Sequence, residues 1–499
     1  MDFLFEKIKS DSLQALESQQ SVVESALSEA ASEGITQILS LSAEAKVLAV
    51  EAVAGEARVT GRVNFKLLYL SEDEPKSLDI FADFTERVAH ADITPSLKLT
   101  ASMTVIDAET DRTTFFKLRA VVETTVCLLI KKEKECLTGA EAGVHAEGET
   151  ARLTEHIGTA NVEVELSEEE AAGGCIGRVL MLDAAAIVSN VKTAENVVMV
   201  SGMAEMKVLY TVDDATKSLT FAMPFDEEVA IQGVSLTDLA TAKVSIDSAR
   251  VVLTGEEKDN IIRAELRLNL RVDAFTLKER MMVKDVFSLE KELELGEDSL
   301  EIENLVGTRY FTDDLSGIAM LGEGKPAARE VVGVMSGRNQ LASVVAGEAT
   351  LTAEGLITAT VIYLDENGLA SVQIEIPYSF VADCDIISQG SKLQIDAAAF
   401  EITARVKRDK EIEVHAKLAL KVDVFVGKTI TFVSKVTEGL DKKLNTSTIS
   451  VYIANEGDSI WDAVKALSAT PEEIKKQNPG LVLPFREGDR VIFFRHISV

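Results

Sequence analysis

Three stretches of the chain alternate apolar and polar residues over the same length. Each runs from a glycine to a tyrosine eight residues later, and together they are 61–69, 202–210 and 355–363. Alternation with a period of two over this length is typical of a β-strand that buries one face. Each stretch then runs into an acidic turn, at Ser71-Glu72-Asp73, Asp213-Asp214 and Asp365-Glu366-Asn367-Gly368. The pattern predicts the same strand and turn three times.

A longer alternating segment closes each of these units. Its apolar positions are Ala264, Leu266, Leu268, Leu270 and Val272 in the second unit, and Val414, Ala416, Leu418, Leu420 and Val422 in the third. Both segments end on Val-Asp-x-Phe, at 272–275 and 422–425, whereas the first-unit segment, 118–129, is more degenerate. An Ile-Asp step lies earlier in each unit, at Ile106-Asp107, Ile246-Asp247 and Ile395-Asp396. Amphipathic strands at this density predict a mainly β chain whose antiparallel sheets form sandwich-like repeats.

The spacers between the units are acidic and similar to each other. Residues 163–168 read EVELSE and residues 292–297 read ELELGE, which predicts a lead-in strand before the second and third units. The units recur after 141 and 153 residues. Because this period is far longer than that of a solenoid, we expect separate beads rather than a stacked array.

The N-terminal region carries a different pattern. Residues 11–33 have apolar residues at helical spacing among Glu, Ser and Gln, which predicts a helix. We expect it to pack on the first repeat, with a partner-binding helix as the alternative. The predicted organisation is a helical segment (1–33), repeat 1 (34–135), an acidic linker and lead-in strand (136–175), repeat 2 (176–285), a second linker and lead-in strand (286–325), repeat 3 (326–436), a linker (437–448) and a small C-terminal domain (449–495).

The net charge of −31 narrows the range of partners. Residues 446–499 hold six basic and seven acidic residues, so the preceding 445 residues carry −30 of this charge. A body this acidic repels phosphate backbones and anionic lipid, which argues against nucleic acid and membrane surfaces. Colloidal solubility is the first interpretation of the charge, and a basic partner surface is the alternative.

Cysteine spacing and hydropathy predict a compartment. The four cysteines lack CxxC spacing, which predicts reduced thiols rather than disulfides or a metal site. The N-terminus has no basic segment followed by an apolar run, and no stretch of about 20 uncharged apolar residues is present to span a bilayer. We therefore expect a cytosolic protein with no membrane insertion.

Sequence motifs for catalysis are missing. The five histidines lack metal-ligand spacing, and His415 is predicted on the solvent face of a strand. No nucleophile elbow, Walker-type phosphate loop or dinucleotide fingerprint occurs. We expect no enzyme activity, no catalytic residue, no metal site and no cofactor.

The last fifty residues predict a strand, two short helices and a strand. In the first helix, Ile460, Val464 and Leu467 share one face, and Asp458 or Ser459 is the expected cap. The second helix has a start signal in 470–473, which read TPEE, and a stop signal in 478–480, which read NPG.

The strands and the single tryptophan of this segment complete the prediction. Val451 and Ile453 are predicted to supply the buried face of the first strand, and 491–493 the return strand. Trp461 is the only tryptophan in the chain, and it is expected to be a core or half-buried anchor, with ligand contact as the alternative.

This C-terminal segment, about a tenth of the chain, resembles a LysM module. In that family a groove between the loop after the first strand and the loop after the second helix recognises N-acetyl sugars through backbone amides. The resemblance implies a partner- or glycan-binding groove formed by Gly457, Asp458, Ser459, Ile460, Trp461, Asn478, Pro479, Gly480 and Leu481. LysM modules usually meet glycan outside the membrane, whereas no export signal is visible here.

Three β-rich repeats followed by a LysM module resemble the SPOCS-repeat, LysM-containing coat morphogenetic proteins of spore-forming Firmicutes. The resemblance implies a protein of the mother-cell cytoplasm that lies at the forespore surface. It also implies that the LysM module binds the coat-basement morphogenetic ATPase rather than peptidoglycan.

The sequence therefore leaves three alternative functions. The first is a spore-coat adaptor or scaffold whose LysM groove docks onto the coat-basement ATPase or another coat protein. The second is a structural protein that self-associates into fibres or a lattice by pairing free sheet edges. The third is a peptidoglycan-binding protein.

Overall fold

The computed structural model describes residues 2–15, 19–112, 116–140, 143–213, 215–256, 259–408, 410–442 and 447–495. Strands account for 78% of the structure and helices for 4%, and the strand pairs are antiparallel. The mainly β fold predicted from the alternating pattern is confirmed. Of the cysteines, Cys136 and Cys384 are buried free thiols, Cys127 is half-buried and free, and Cys175 is exposed and free.

One arrangement of strands recurs three times, as a three-stranded meander facing a second sheet. The meanders are β3 (Gln37–Val53), β4 (Glu56–Ser71) and β5 (Glu74–Ala89); β9 (Ile176–Ala194), β10 (Val197–Val212) and β11 (Ala215–Ala230); and β15 (Glu330–Ala346), β16 (Thr350–Asp365) and β17 (Gly368–Asp383). We call each meander with its facing sheet a sheet pair, numbered 1 to 3 along the chain.

The facing sheets each have one long central strand. In sheet pair 2, β13 (Asp259–Ser288) lies between β12 (Leu239–Glu256) and β8 (Val144–Ala171), and in sheet pair 3, β19 (Glu411–Asp441) lies between β18 (Lys392–Arg408) and β14 (Lys291–Met320). In sheet pair 1, β7 (Phe116–Ala140) pairs with β6 (Leu99–Arg112) on one side and with both β1 (Phe3–Ala15) and β2 (Gln19–Ala26) on the other. The acidic segments predicted as lead-in strands lie within β8 and β14, so both segments are strands.

The prediction of an N-terminal helix over 11–33 is wrong. Residues 3–15 and 19–26 form β1 and β2, residues 16–18 lie outside the described ranges, and only α1 (Glu29–Glu33) is helical. The apolar residues of this segment pair with the long strand β7. Tertiary pairing therefore overrides a helical spacing that is too short to decide the structure alone.

The repeated glycines mark close contacts with the next strand. Gly61, Gly202 and Gly355 lie opposite an aromatic residue of the neighbouring strand, namely Phe84, Phe225 and Tyr378 respectively. At each glycine an added Cβ would overlap that aromatic ring. The aromatic side chain thus covers a glycine in the middle of each meander, and this contact accounts for the glycine at the start of the motif.

We expect Gly202→Ala to destabilise the protein by about 1–3 kcal/mol because the core has no room for the new methyl group. Its Cβ would lie 2.6 Å from the carbonyl oxygen of Ile187 and overlap the ring of Phe225. Urea unfolding monitored by circular dichroism measures the effect. Gly322→Ala is the matched control, since a Cβ there has nothing within 4 Å. Equal stability of the two variants would show that the ring of Phe225 does not require glycine opposite it.

The long strands of the facing sheets continue past the meanders, and their outer parts form three two-stranded arms. Arm 1 pairs 3–15 with 127–140, arm 2 pairs 144–156 with 275–288, and arm 3 pairs 291–305 with 425–441. Side chains from all three arms form one hydrophobic cluster: Ile8, Cys136, Ala151, Leu153, Met282, Leu300, Ile302, Ile430 and Phe432.

The meanders also share a core. Leucine, methionine and isoleucine side chains from all three meanders meet in a second cluster: Leu39, Leu68, Leu70, Leu180, Met181, Leu209, Met335 and Ile362. The expectation of separate beads is therefore wrong. The outer face of each alternating strand is polar only in part, and its apolar residues, such as Leu68, Leu209 and Ile362, join the sheet pairs to one another.

The two Val-Asp-x-Phe motifs contribute to the contact between sheet pairs. Phe275 and Phe425 lie in one cluster with Leu13 and Leu305, at the base of the arms. The Ile-Asp steps, by contrast, are not equivalent. Ile395 pairs with Val422 of this motif, whereas Ile246 pairs with a residue four positions before the matching valine.

A buried charged cluster lies beside these phenylalanines. Lys421, whose side chain is 2% exposed, donates to Asp423 at 2.6 Å and to Asp396 at 3.2 Å. Asp423 also accepts hydrogen bonds at 2.6 Å from the hydroxyl groups of Thr241, in sheet pair 2, and of Thr308. The aspartate of the motif at 422–425 thus ties sheet pair 3 to sheet pair 2.

Within the cluster, attraction between opposite charges shifts the pKa values more than burial does. Burial by itself lowers the pKa of Lys421, but Asp423 and Asp396 raise it above its ordinary value. Burial by itself raises the pKa of Asp396, but Lys421 and Lys243 hold it below its ordinary value. Lys421 and Asp396 therefore stay charged at neutral pH.

Candidate functional site

The C-terminal module has the predicted order of elements. It consists of β20 (Ile449–Ile453), α2 (Ile460–Leu467), α3 (Pro471–Gln477) and β21 (Arg490–Phe494), with β20 antiparallel to β21. Ser459 is the N-cap of α2 and Thr470 that of α3. The carboxylates of Asp462 and Glu473, three residues further on, accept hydrogen bonds from the cap backbone N–H groups at 2.8 and 3.0 Å.

Trp461 anchors the module on arm 2. Its side chain is 5% exposed, and its indole Nε1–H donates to Asp285 at 2.8 Å. Its ring meets that of Phe287 edge to face, with centroids 5.1 Å apart, and Lys465 donates to the same carboxylate at 2.6 Å. The predicted role as a buried anchor is confirmed. Arm 2 covers the ring, so the side chain of Trp461 is not exposed to an open groove.

The two loops predicted to form the groove do lie together. The N–H of Gly457 donates to the carbonyl of Phe485 at 3.2 Å, and the N–H of Phe485 donates to the carbonyl of Asp458 at 3.2 Å. Gly457 has a φ of +89°, in the left-handed region that favours glycine. The loop after β20 is thereby held against the loop that follows α3.

The carboxylate of Asp458 forms hydrogen bonds with residues near it in the chain. Its carboxylate accepts hydrogen bonds from the hydroxyl of Tyr452 at 2.5 Å and from the N–H of Asn455 at 2.8 Å. The hydrogen bond from Tyr452 holds the pKa of Asp458 below its ordinary value and raises the pKa of Tyr452 to about 12. Asp458 therefore shapes the loop rather than offering a free charge.

Asn478 also has a structural role. Its side-chain amide donates to Ile474 and Ile492 carbonyls at 2.9 and 2.8 Å and accepts from the Ile492 N–H at 3.0 Å. Ser459 serves as a helix cap, and Ile460 is half-buried against the module core. Of the nine predicted residues, Gly457, Pro479 and Gly480 are exposed, and Leu481 is half-buried.

The structure adds two apolar residues that the sequence prediction missed. Val482 is 71% exposed and Leu483 is 48% exposed, next to Leu481. We call residues 479–484 the apolar loop. The signal was present in the sequence as a Leu-Val-Leu run between two prolines, at 481–483. Within 455–485 the two aromatic side chains, Trp461 and Phe485, are both buried.

The predicted buried face of β20 is wrong by one position. Val451 and Ile453 are 51% and 62% exposed, whereas Tyr452 packs against the module core. A two-stranded sheet has too few residues for its alternation to show which side faces the helices. The return strand predicted over 491–493 is confirmed, and its buried residues are Val491 and Phe493.

The described ranges hold neither a metal-ligand cluster nor a membrane-spanning helix. No three His, Cys, Asp or Glu side chains of these residues are grouped as metal ligands would be. None of the helices in the same ranges is long and apolar enough to cross a bilayer.

Comparison with known proteins supports one part of the sequence interpretation. Residues 175–254, which cover the meander of sheet pair 2 and most of β12, match the family model described as SipL, SPOCS domain. This match indicates a sporulation-related protein. No curated protein and no solved structure matches the chain.

Proposed function

We propose that this chain is a non-enzymatic adaptor or scaffold of spore-coat assembly in the mother-cell cytoplasm. In this proposal the sheet pairs are three SPOCS-like repeats and the C-terminal module is a LysM domain. The module docks onto the coat-basement morphogenetic ATPase, or another coat protein, at the forespore surface. The match of residues 175–254 to a SPOCS domain supports the sporulation role.

The observation that carries the docking assignment is the exposed apolar loop. Val482 and Leu483 stand out of a module that is otherwise fixed to arm 2 through Trp461. Clustered, exposed aliphatic side chains are typical of protein–protein contacts.

We expect Val482→Asp to weaken binding to the coat-basement ATPase at least tenfold, since a charge would be buried at the contact. The measurement is the dissociation constant for the purified full-length proteins, by biolayer interferometry. Leu236→Asp is the matched control, because Leu236 is 76% exposed but lies in sheet pair 2. Unchanged affinity of Val482→Asp would remove the loop from the interface. Co-sedimentation of the wild-type protein with purified peptidoglycan would favour the glycan function instead.

A further inference from the structure

The two outer edges of the module sheet differ in whether their backbone groups are hydrogen-bonded. The outer edge of β21 is covered by two side-chain amides that act as a strand would. Gln477 donates to the Phe494 carbonyl at 3.0 Å and accepts from its N–H at 2.7 Å, and Asn478 makes the equivalent pair with Ile492. This edge is therefore closed to further pairing.

The outer edge of β20 is open. The N–H of Ala454 donates to Asp489 and the carbonyl of Thr448 accepts from Arg495, so the even-numbered residues direct their backbone groups toward β21. Because these directions alternate along a strand, residues 449, 451 and 453 direct theirs away from β21. In the part of the chain that the structure describes, no hydrogen bond to these outward groups occurs, and β20 pairs with β21 only.

The face next to this open edge is apolar. Residues directly opposite in an antiparallel pair share a face, so Ile492 and Phe494 lie beside Val451 and Ile449. Their side chains are 39% to 56% exposed, and Ile453 at the end of β20 is 62% exposed. An added strand would extend this face, and its own apolar side chains would pack beside Ile449, Val451 and Ile453.

We propose that β20 is a strand-addition site for an extended segment of another protein, with apolar residues at alternate positions and neutral or basic flanks. Free backbone groups on one edge favour an added strand, because its main chain forms hydrogen bonds with each outward N–H and C=O. A second copy of this chain is the less favoured occupant, because each copy carries a net charge of −31. The site is separate from the apolar loop and does not depend on its role.

The test uses the full-length protein and a synthetic peptide in which valine and threonine alternate between terminal lysines. We expect hydrogen exchange at Ile449, Val451 and Ile453 to be fast without peptide and to slow at least tenfold with it. The amide of Tyr452, which faces β21, is slow in both cases. Peptide binding without slower exchange at these three amides, or no binding, would overturn the proposal.

Protein variants locate the peptide on β20 or elsewhere on the surface. Val451→Pro removes one outward N–H, which a proline on an edge strand tolerates, and is expected to weaken peptide binding at least tenfold. Val381→Lys changes an exposed valine on another edge strand, β17, and Val482→Asp changes the apolar loop. Both variants should leave peptide binding unchanged. Weaker binding by Val482→Asp would place the peptide on the loop and not on β20.

A second experiment changes the peptide instead of the protein, so its result does not depend on how a protein variant folds. N-methylation of the alternate amides that face β20 should abolish binding, and N-methylation of the other set should not. Equal binding of both peptides would exclude strand addition. Sedimentation that shows a dimer of the wild type, lost in Val451→Pro, would make a second copy the occupant and overturn the proposal for another protein.

Discussion

Replacing Lys421 by methionine is expected to destabilise the protein by about 3–5 kcal/mol, the usual cost of leaving a buried charge without its partner. Lys421 and Asp423 are each 2% exposed and lie 2.6 Å apart, and Asp396 loses the same cation. The methionine fills a similar volume, so the effect reports the charge rather than a cavity. The shift of the urea unfolding midpoint measures it.

Two controls distinguish charge from packing. Lys417→Met changes a lysine of the same strand whose side chain is 39% exposed and paired with Glu401, and it should cost less than about 1 kcal/mol. The double variant Lys421→Met with Asp423→Leu removes the pair that lies 2.6 Å apart and should recover part of the loss, since Asp396 still lacks Lys421. A Lys421→Met variant as stable as Lys417→Met would show that the cluster does not stabilise the fold.

The same cluster predicts an acid-sensitive contribution to stability. The folded-state pKa of Asp396 lies below its ordinary value, so its contribution is complete above the ordinary carboxyl range. It is lost as the pH falls through the lowered pKa. Lys421→Met removes the main attraction behind that shift, so the variant should show a weaker dependence of stability on pH below about pH 4.

Phe287→Ala is expected to release the C-terminal module from arm 2 at a cost of about 3–5 kcal/mol, as for other buried phenylalanines. Phe287 is 4% exposed and packs edge to face on Trp461. Because Trp461 is the only tryptophan, fluorescence excited selectively at tryptophan reports the environment of this residue alone. We expect a red-shifted emission in the folded variant and a tryptophan transition at lower urea than the far-ultraviolet circular dichroism transition.

Phe275→Ala is the matched control on the same strand. Phe275 is 2% exposed at the base of the arms, away from the module. This variant should lower the stability of the body but leave the emission of Trp461 unchanged before unfolding begins. A Phe287→Ala variant with wild-type emission would show that the module is not seated through this ring.

Seating the module through Trp461 has a consequence for docking. Asp285 accepts from both Trp461 and Lys465, which fixes α2 on the tip of arm 2. The apolar loop and the open edge of β20 remain accessible at fixed orientations relative to the sheet pairs. In the proposed adaptor, a partner held by the module would therefore also be oriented relative to the acidic body.

Elements that depend on local chemistry could be predicted from the amino-acid sequence. Alternation identified β4, β10 and β16 and their buried faces, the spacing of Ser459, Thr470 and Pro471 identified both module helices, and the charge was read from composition. These features depend on residues close together in the chain, where side-chain period and capping act directly.

The way in which these elements combine depends on contacts between distant parts of the chain. The N-terminal segment became strands because β7 offers a long edge, the sheet pairs shared cores through the arms, and Trp461 was covered by arm 2 instead of lining a groove. The outward face of β20 was likewise set by the helices packed on its other side. Each outcome depends on residues more than a hundred positions apart or on which of two faces finds a partner, and short-range patterns carry no information about that choice.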